Sequence, residues 1–253
     1  LAVGLVGQFQ ADAATDLVGN SGDFTGFNVD FLMQKKVLGS NVLTFEGALT
    51  AALDPAADRL EATLDGPVLV VDIGGGSTEL AVGTLAQPGP ELTASVSLQM
   101  GSVRFTERYL PSDPPLPEEL SNCLSVAEAT LDEALSDEAA LGEAATLVIV
   151  SGTAETVGAV ELGGWDERAL HGLRLSKAQV EDVFRTMATE SADDRRHNPG
   201  LPAERVDFIV AGCCILVTIM RRMGCADCVV STGSVRDALA SRALSGDVAA
   251  DRA

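Results

Sequence analysis

Basic residues are scarce in this chain: 17 lysines and arginines face 37 aspartates and glutamates, a formal net charge of −20. That sign excludes sequence-independent binding to nucleic acid or to an anionic membrane, because both are polyanions that a basic surface attracts. Aromatic residues make up only 4% of the sequence, so the core has to be built from Leu, Val and Ala. The two histidines, His171 and His197, lie in unrelated segments, which removes the commonest route to a histidine metal site. Long apolar runs are also missing. The longest charge-free stretch, Phe208 to Met220, is shorter than the ~18 to 20 apolar residues a bilayer span needs. The opening LAVGLVGQFQADAATD has neither a basic region nor a clean cleavage pattern, so a cytoplasmic protein is expected.

Cysteine is limited to five residues: Cys123, Cys213, Cys214, Cys225 and Cys228. Cys225 and Cys228 have C-x-x-C spacing, but a single such pair without histidine partners reads more simply as small buried thiols. What remains is 46% hydrophobic residues over 253 positions, enough for one large domain or two small ones.

Residues 1–66 carry the punctuation GNSGDFTGFN, a short amphipathic segment and an alanine-rich stretch around Pro55. From Gly66 the pattern sharpens. PVLVVDI is a β-branched run ended by three glycines, ELAVG resumes the apolar pattern, and Leu92, Ala94, Val96 and Leu98 alternate with polar residues. Three consecutive strands of this kind make an antiparallel meander. Leu120, Cys123, Leu124, Ala127, Leu131, Ala134 and Leu135 then recur at helical spacing behind PEEL. TLVIV reads as a buried strand, and LSKAQVEDVFRTM as a helix with a Ser176/Gln179 capping box. Strand VDFIV, helix GCCILVTIMRRMG, strand CVVS and a closing helix SVRDALASRAL complete the expectation. These elements run βββαβαβαβα, one strand–helix pair longer than the βββαβαβα order of ribonuclease H-like lobes, and predict an α/β fold with a mixed sheet of that kind.

VDIGGGSTEL carries the chemistry. Three glycines between strands permit positive-φ backbone and close approach of a ligand, so successive N–H groups can converge on an anion, with Ser77 and Thr78 as additional donors. Asp72 and Glu79 bracket the loop and can hold a hard divalent cation beside the phosphate. A plain glycine turn would explain Gly74, Gly75 and Gly76 but not the acids and hydroxyls around them. No Lys follows the glycines and no helix comes next, so neither a Walker A loop nor a dinucleotide fingerprint is present.

DIGGGSTE resembles the hallmark loop of the exopolyphosphatase and guanosine pentaphosphate phosphohydrolase (Ppx/GppA) family, within the actin, sugar kinase and Hsp70 superfamily. SLQMGSVRFTERYLPSDPP, SGTAETVGAVELGG, HGLRLSKAQV and LPAERVDFIVAGCCIL resemble further family segments in the family's order. The resemblance implies a magnesium-dependent hydrolase that removes terminal phosphate from inorganic polyphosphate or guanosine pentaphosphate. It places phosphate contacts at Gly74, Gly75, Gly76, Ser77 and Thr78, and metal-associated acids at Asp72 and Glu79, with Glu79 also catalytic. Gly101, Ser102 and Arg104 match a segment near the cleft, where Arg104 either contacts phosphate or bridges surface carboxylates. Gly152 and Thr153 either approach the cleft from the other side or simply start a helix, and His171 is expected to be a structural loop residue.

Two departures bear on activity. No loop of the form D-x-G-S/T-N-S/T occurs, and VLGSNVLTFEGAL passes directly into LTFEGAL where the family's I-S-G-x-E-E-A segment with its catalytic glutamate would stand. Glu46 is the nearest carboxylate. Residues 1–66 are therefore expected to be a remnant of a first ribonuclease H-like lobe, and 67–253 the second lobe carrying the phosphate loop. The chain resembles the short family form, without an HD-type metal domain, and a homodimer is left open. A polyphosphate- or alarmone-binding protein without the catalytic glutamate, and a superfamily ATPase or kinase, are the competing readings.

Overall fold

The computed structural model describes residues 66–85 and 90–233. The β-branched run becomes β1 (Val68–Ile73), followed by β2 (Thr78–Leu85) and β3 (Pro90–Leu98). Helices α1 (Ser102–Tyr109) and α2 (Pro117–Asp137) come next, then β4 (Thr146–Val150) and α3 (Ser151–Leu162). A short β5 (Arg174–Ser176) leads into α4 (Lys177–Thr189), and α5 (Ile209–Arg222) leads into β6 (Asp227–Val230).

The strands form one mixed six-stranded sheet in the order β3-β2-β1-β4-β6-β5. β1, β2 and β3 are the expected antiparallel meander. β4 pairs parallel to β1 and β6 parallel to β4, which brings the C-terminal ends of β1 and β4 together with Asp72 opposite Val150. β5 closes the far edge antiparallel to β6.

Two local expectations change. Val206–Val210 is not a strand: α5 already begins at Ile209, and every residue from Ile209 to Met220 is buried. A helix buried on all sides is apolar all round, so its first residues mimic a buried strand in sequence. The sixth strand is instead the three-residue β5, too short to register as an alternating pattern. In β3 the ladder shifts between Val82 and Gly83, so that Val82 faces Ala94 and Gly83 faces Leu92. Thr93 is thus an extra residue, and the bulge turns Leu92 onto the opposite face from Ala94 and Leu98.

Helix boundaries follow the sequence closely. α2 starts at Pro117 with Glu119 accepting the Leu116 N–H at 2.9 Å, and it buries Cys123, Ala127, Leu131 and Ala134. α4 has the capping box, with Ser176 N–H donating to Gln179 Oε1 at 2.9 Å and Gln179 N–H to Ser176 Oγ at 3.3 Å. One sheet face, with Leu69, Val71, Leu80 and Ile149, packs against the helices in the main core. The other face carries a separate buried cluster of Val68, Val70, Ala81, Val148, Val150 and Val229, to which none of the described helices contributes. No described helix is long and apolar enough to cross a membrane. The segment 1–65, including Glu46, and the expected closing helix from Ser234 lie outside the described residues.

Candidate functional site

Gly74 to Ser77 connect β1 to β2, and the Gly74 N–H donates to Ser77 O at 2.9 Å to close the turn. All three glycine carbonyls are engaged by the start of α1. Gly74 O accepts from Ser102 N–H at 2.9 Å, Gly75 O from Arg104 N–H at 2.9 Å, and Gly76 O from Arg104 Nε at 2.6 Å. In a trans peptide the N–H points opposite to the C=O of the same unit. The amides of Gly75, Gly76 and Ser77 are therefore turned away from α1, and among the described residues nothing accepts from them. Three consecutive unengaged N–H groups are the element of an anion nest.

The loop glycines do not supply left-handed backbone, and the close approach in this region falls on Gly101. None of Gly74, Gly75 and Gly76 has a positive φ, contrary to expectation. Gly101 lies directly on the loop: a Cβ there would stand 2.5 Å from the carbonyl carbon and oxygen of Gly75 and 2.6 Å from that of Gly76. Backbone packs on backbone, and the hydroxyls near it are used to hold it. Thr78 Oγ1 donates to Met100 O at 2.6 Å, and Ser102 Oγ to Gly74 O at 3.3 Å. Among the described residues Arg104 bridges no carboxylate; its guanidinium holds the Gly76 carbonyl.

Asp72 and Glu79 face each other across the β1–β2 ladder. Glu79 Oε1 accepts from Ser77 Oγ at 2.6 Å and from Ser97 Oγ at 2.8 Å, which fixes one carboxylate oxygen beside the loop. Burial, and secondarily the Glu79 charge, push the Asp72 carboxyl up to about 6, against the pull of a hydrogen bond from Ser151. Two hard oxygen donors facing each other on adjacent strands fit a divalent ion, which would relieve their mutual repulsion. No group of three or more His, Cys, Asp or Glu side chains suited to a metal converges among the described residues.

The start of α3 forms the adjoining wall. Ser151 Oγ and Thr153 Oγ1 both lie 3.2 Å from Ile73 O, the last carbonyl of β1. Ser151 is the one non-glycine residue with positive φ among the described residues, at 73°. The Arg205 guanidinium covers Gly152 so closely that a Cβ would collide with it. Burial pulls the Arg205 pKa down and pushes that of its neighbour Glu155 up, while the charge of each offsets the shift in the other. Gly212 of α5 sits where a Cβ would be 2.8 Å from Thr153 Cγ2 and 3.6 Å from Ser102 Cβ. One glycine thus lets α5 draw the first turns of α1 and α3 together behind the loop.

A profile of one family of phosphatases matches residues 29–245. The chain belongs to the Ppx/GppA phosphatase family. It is 32% identical over 180 residues to Exopolyphosphatase 2 of Mycobacterium tuberculosis, covering 69% of this chain and 54% of that one. It is 29% identical over 227 residues to a guanosine-5'-triphosphate,3'-diphosphate pyrophosphatase of Vibrio atlanticus, covering 88% of this chain and 44% of the relative. The chain therefore spans about half the length of the curated relatives it matches. The Aquifex aeolicus Ppx/GppA phosphatase, in its type II variant, superposes with a TM-score of 0.67 at 26% identity, over 78% of this chain and 62% of that one. The mixed-sheet fold is thus that of solved Ppx/GppA proteins.

Within this Ppx/GppA frame, the residues expected from sequence fall into one neighbourhood: Asp72 to Glu79, Gly101, Ser102, Arg104, Gly152 and Thr153 surround the ends of β1 and β4. His171 lies beside the C-terminal end of β6, two strands from β1 in the sheet, with Nδ1 3.3 Å from the Thr232 N–H that donates to it and 3.1 Å from Thr232 Oγ1. The thiols are free, and burial pushes Cys213 and Cys228 up to about 12, far from reactivity at neutral pH. Two contributors were not singled out from sequence. Arg205 lay inside the quoted LPAERVDFIVAG segment, so its motif was a usable signal. Ser151 likewise opened the quoted SGTAETVGAVELGG segment, but its left-handed conformation is decided by the strand-to-helix corner and has no local sequence signal.

Proposed function

We propose that this chain carries the phosphate-binding lobe of a magnesium-dependent hydrolase that removes terminal phosphate from inorganic polyphosphate or guanosine pentaphosphate. The observation that carries the reading is the loop itself: its carbonyls are tied to α1 and its three amides are left for an anion beside the Asp72–Glu79 pair. Names of relatives support both substrates, since one is an exopolyphosphatase and another a pyrophosphatase acting on a guanosine pentaphosphate. In this reading Gly75, Gly76 and Ser77 hold the terminal phosphate. Asp72 and Glu79 hold the cation, which when bound supplies positive charge to the transferring phosphoryl group. Gly152 and Thr153 bring the positive end of α3 to the same place. Residues 67–253 are the second ribonuclease H-like lobe, and 1–66 belong to the first.

Phosphate release from long-chain polyphosphate with magnesium tests the reading. Glu79→Gln should abolish it while the fold survives, and unchanged release would reject the assignment. A binding-only reading is favoured by one sequence observation, the passage from Val42 directly to Leu43 where the catalytic glutamate segment would stand. General base catalysis contributes ~10² to 10⁴-fold, so the chain should then bind polyphosphate with magnesium but turn it over slowly. Robust turnover lost on Glu46→Gln would instead make Glu46 the base.

A further inference from the structure

The register of the antiparallel meander sets three polar residues in one line. Asp72 of β1 faces Glu79 of β2, and Glu79 faces Ser97 of β3. Side chains at directly opposed positions share a face with their Cβ atoms about 5 Å apart, so Glu79 stands between Asp72 on one flank and Ser97 on the other. β4 continues the row with Val150, which offers Asp72 no polar group. Glu79 accepts from Ser77 Oγ at 2.6 Å and from Ser97 Oγ at 2.8 Å, and both donors end on the same oxygen, Oε1. An ionised carboxylate has about two acceptor sites on each oxygen, so Oε1 is filled. Oε2 receives no hydrogen bond from the described residues. The two donors have different origins: Ser77 belongs to the phosphate loop, whereas Ser97 ties the acid to β3, the outer strand of the sheet. Ser95, two residues earlier on the same face, opposes Ala81, which has no acceptor in its side chain.

We propose that Ser97 is a positioning residue for a divalent cation: together with Ser77 it occupies Oε1 of Glu79, so that this carboxylate meets the ion through Oε2 alone, beside Asp72. The proposal deepens, and rests on, the cation-assisted reading of this site. Ser97 orients a ligand without touching the metal, and loss of such a partner typically weakens metal binding about 10- to 100-fold. It also bears on which ion is taken. Calcium accepts both oxygens of one carboxylate, whereas magnesium demands near-octahedral geometry and is held one oxygen at a time. A filled Oε1 therefore favours the smaller ion.

The test uses the full chain with Mn²⁺ alone as probe, the free ion being followed by its paramagnetic resonance signal, and with Mg²⁺ and Ca²⁺ then added as competitors. Ser97→Ala should weaken Mn²⁺ and Mg²⁺ binding about tenfold or more and Ca²⁺ binding less, because the freed position on Oε1 opens two-oxygen binding to the larger ion. Ser97→Thr keeps a hydroxyl and should keep the wild-type affinities. Ser95→Ala removes a hydroxyl from the same face of the same strand and should leave them unchanged. A preference between two ions that follows one hydroxyl is what a merely structural serine does not produce. Unchanged affinities in Ser97→Ala, an equal loss for Mg²⁺ and Ca²⁺, no recovery in Ser97→Thr, or the same loss in Ser95→Ala overturns the proposal and leaves the proposed function standing. A wild-type chain that does not bind Mn²⁺ overturns the cation site itself and the role of Ser97 with it.

Discussion

Gly101 is the residue on which the loop's shape most directly depends. A methyl group there meets Gly75 and Gly76 backbone, which cannot swing aside as a side chain would. Gly101→Ala should cost about 1 to 3 kcal/mol and abolish binding of inorganic phosphate, as checked by denaturant melts and calorimetry. Asp72 gives a prediction with a sign in pH. Its carboxyl is raised from 3.8 to about 6 in the folded chain, so between those values the fold holds a proton that the unfolded chain has released. Stability is therefore lost as pH rises through that window, and the full cost applies above it. In EDTA, Asp72→Asn should melt higher than wild type at pH 7.5, by an amount on the order of 2 kcal/mol, and the gain should vanish near pH 4. A gain that persists at pH 4 would show that the Asp72 charge is not its source. At this scale DIGGGSTE announced its own acids and glycines. The need for glycine at 101 was not legible, because it comes from the backbone of Gly75 and Gly76, 25 positions before it in the case of Gly76, whose approach no local pattern encodes.

At the scale of elements, the first turns of α1 and α3 do different work. α1 spends its leading amides on the loop carbonyls, whereas α3 sends two hydroxyls to the end of β1. α5 holds them together through Gly212. A bulkier residue there, Gly212→Val, should weaken both phosphate and cation binding by displacing Thr153, in addition to a stability cost of ~1 to 3 kcal/mol. Ser176→Ala offers the contrast: it removes a cap at α4 and should cost ~1 kcal/mol while leaving ligand affinities unchanged. Equal effects of the two on affinity would mean that α5 acts only through global stability. Elements with one polar face, such as α2 and α4, were readable from their period and caps. α5 lacked that contrast, since burial on every side erases the pattern that distinguishes a helix from a buried strand, and β5 was too short to have one.

For the whole molecule the dominant fact is a charge of −20 in a protein proposed to take a polyanion. Without divalent cation, the long-range field opposes polyphosphate, and salt screens that repulsion over a distance of about 10 Å at 0.1 M. In EDTA, residual polyphosphate binding should therefore strengthen as potassium chloride rises from about 0.05 to 0.3 M, the reverse of what a basic binding protein shows. Fluorescence anisotropy of an end-labelled polyphosphate measures this, and weakening with salt would point to a positive local field that overrides the net charge. The sorting of the loop's two edges has a bearing on repeated use. The hydrogen bonds from α1 that hold the loop end on its carbonyls, and the amides of Gly75, Gly76 and Ser77 take no part in them. In the proposed reaction an outgoing phosphate would therefore leave the scaffold intact, and the emptied cradle would already be in the form that receives the next unit. Successive clipping from the end of one long polymer would then be paced by how the polymer advances, with no recoil of the protein between cuts.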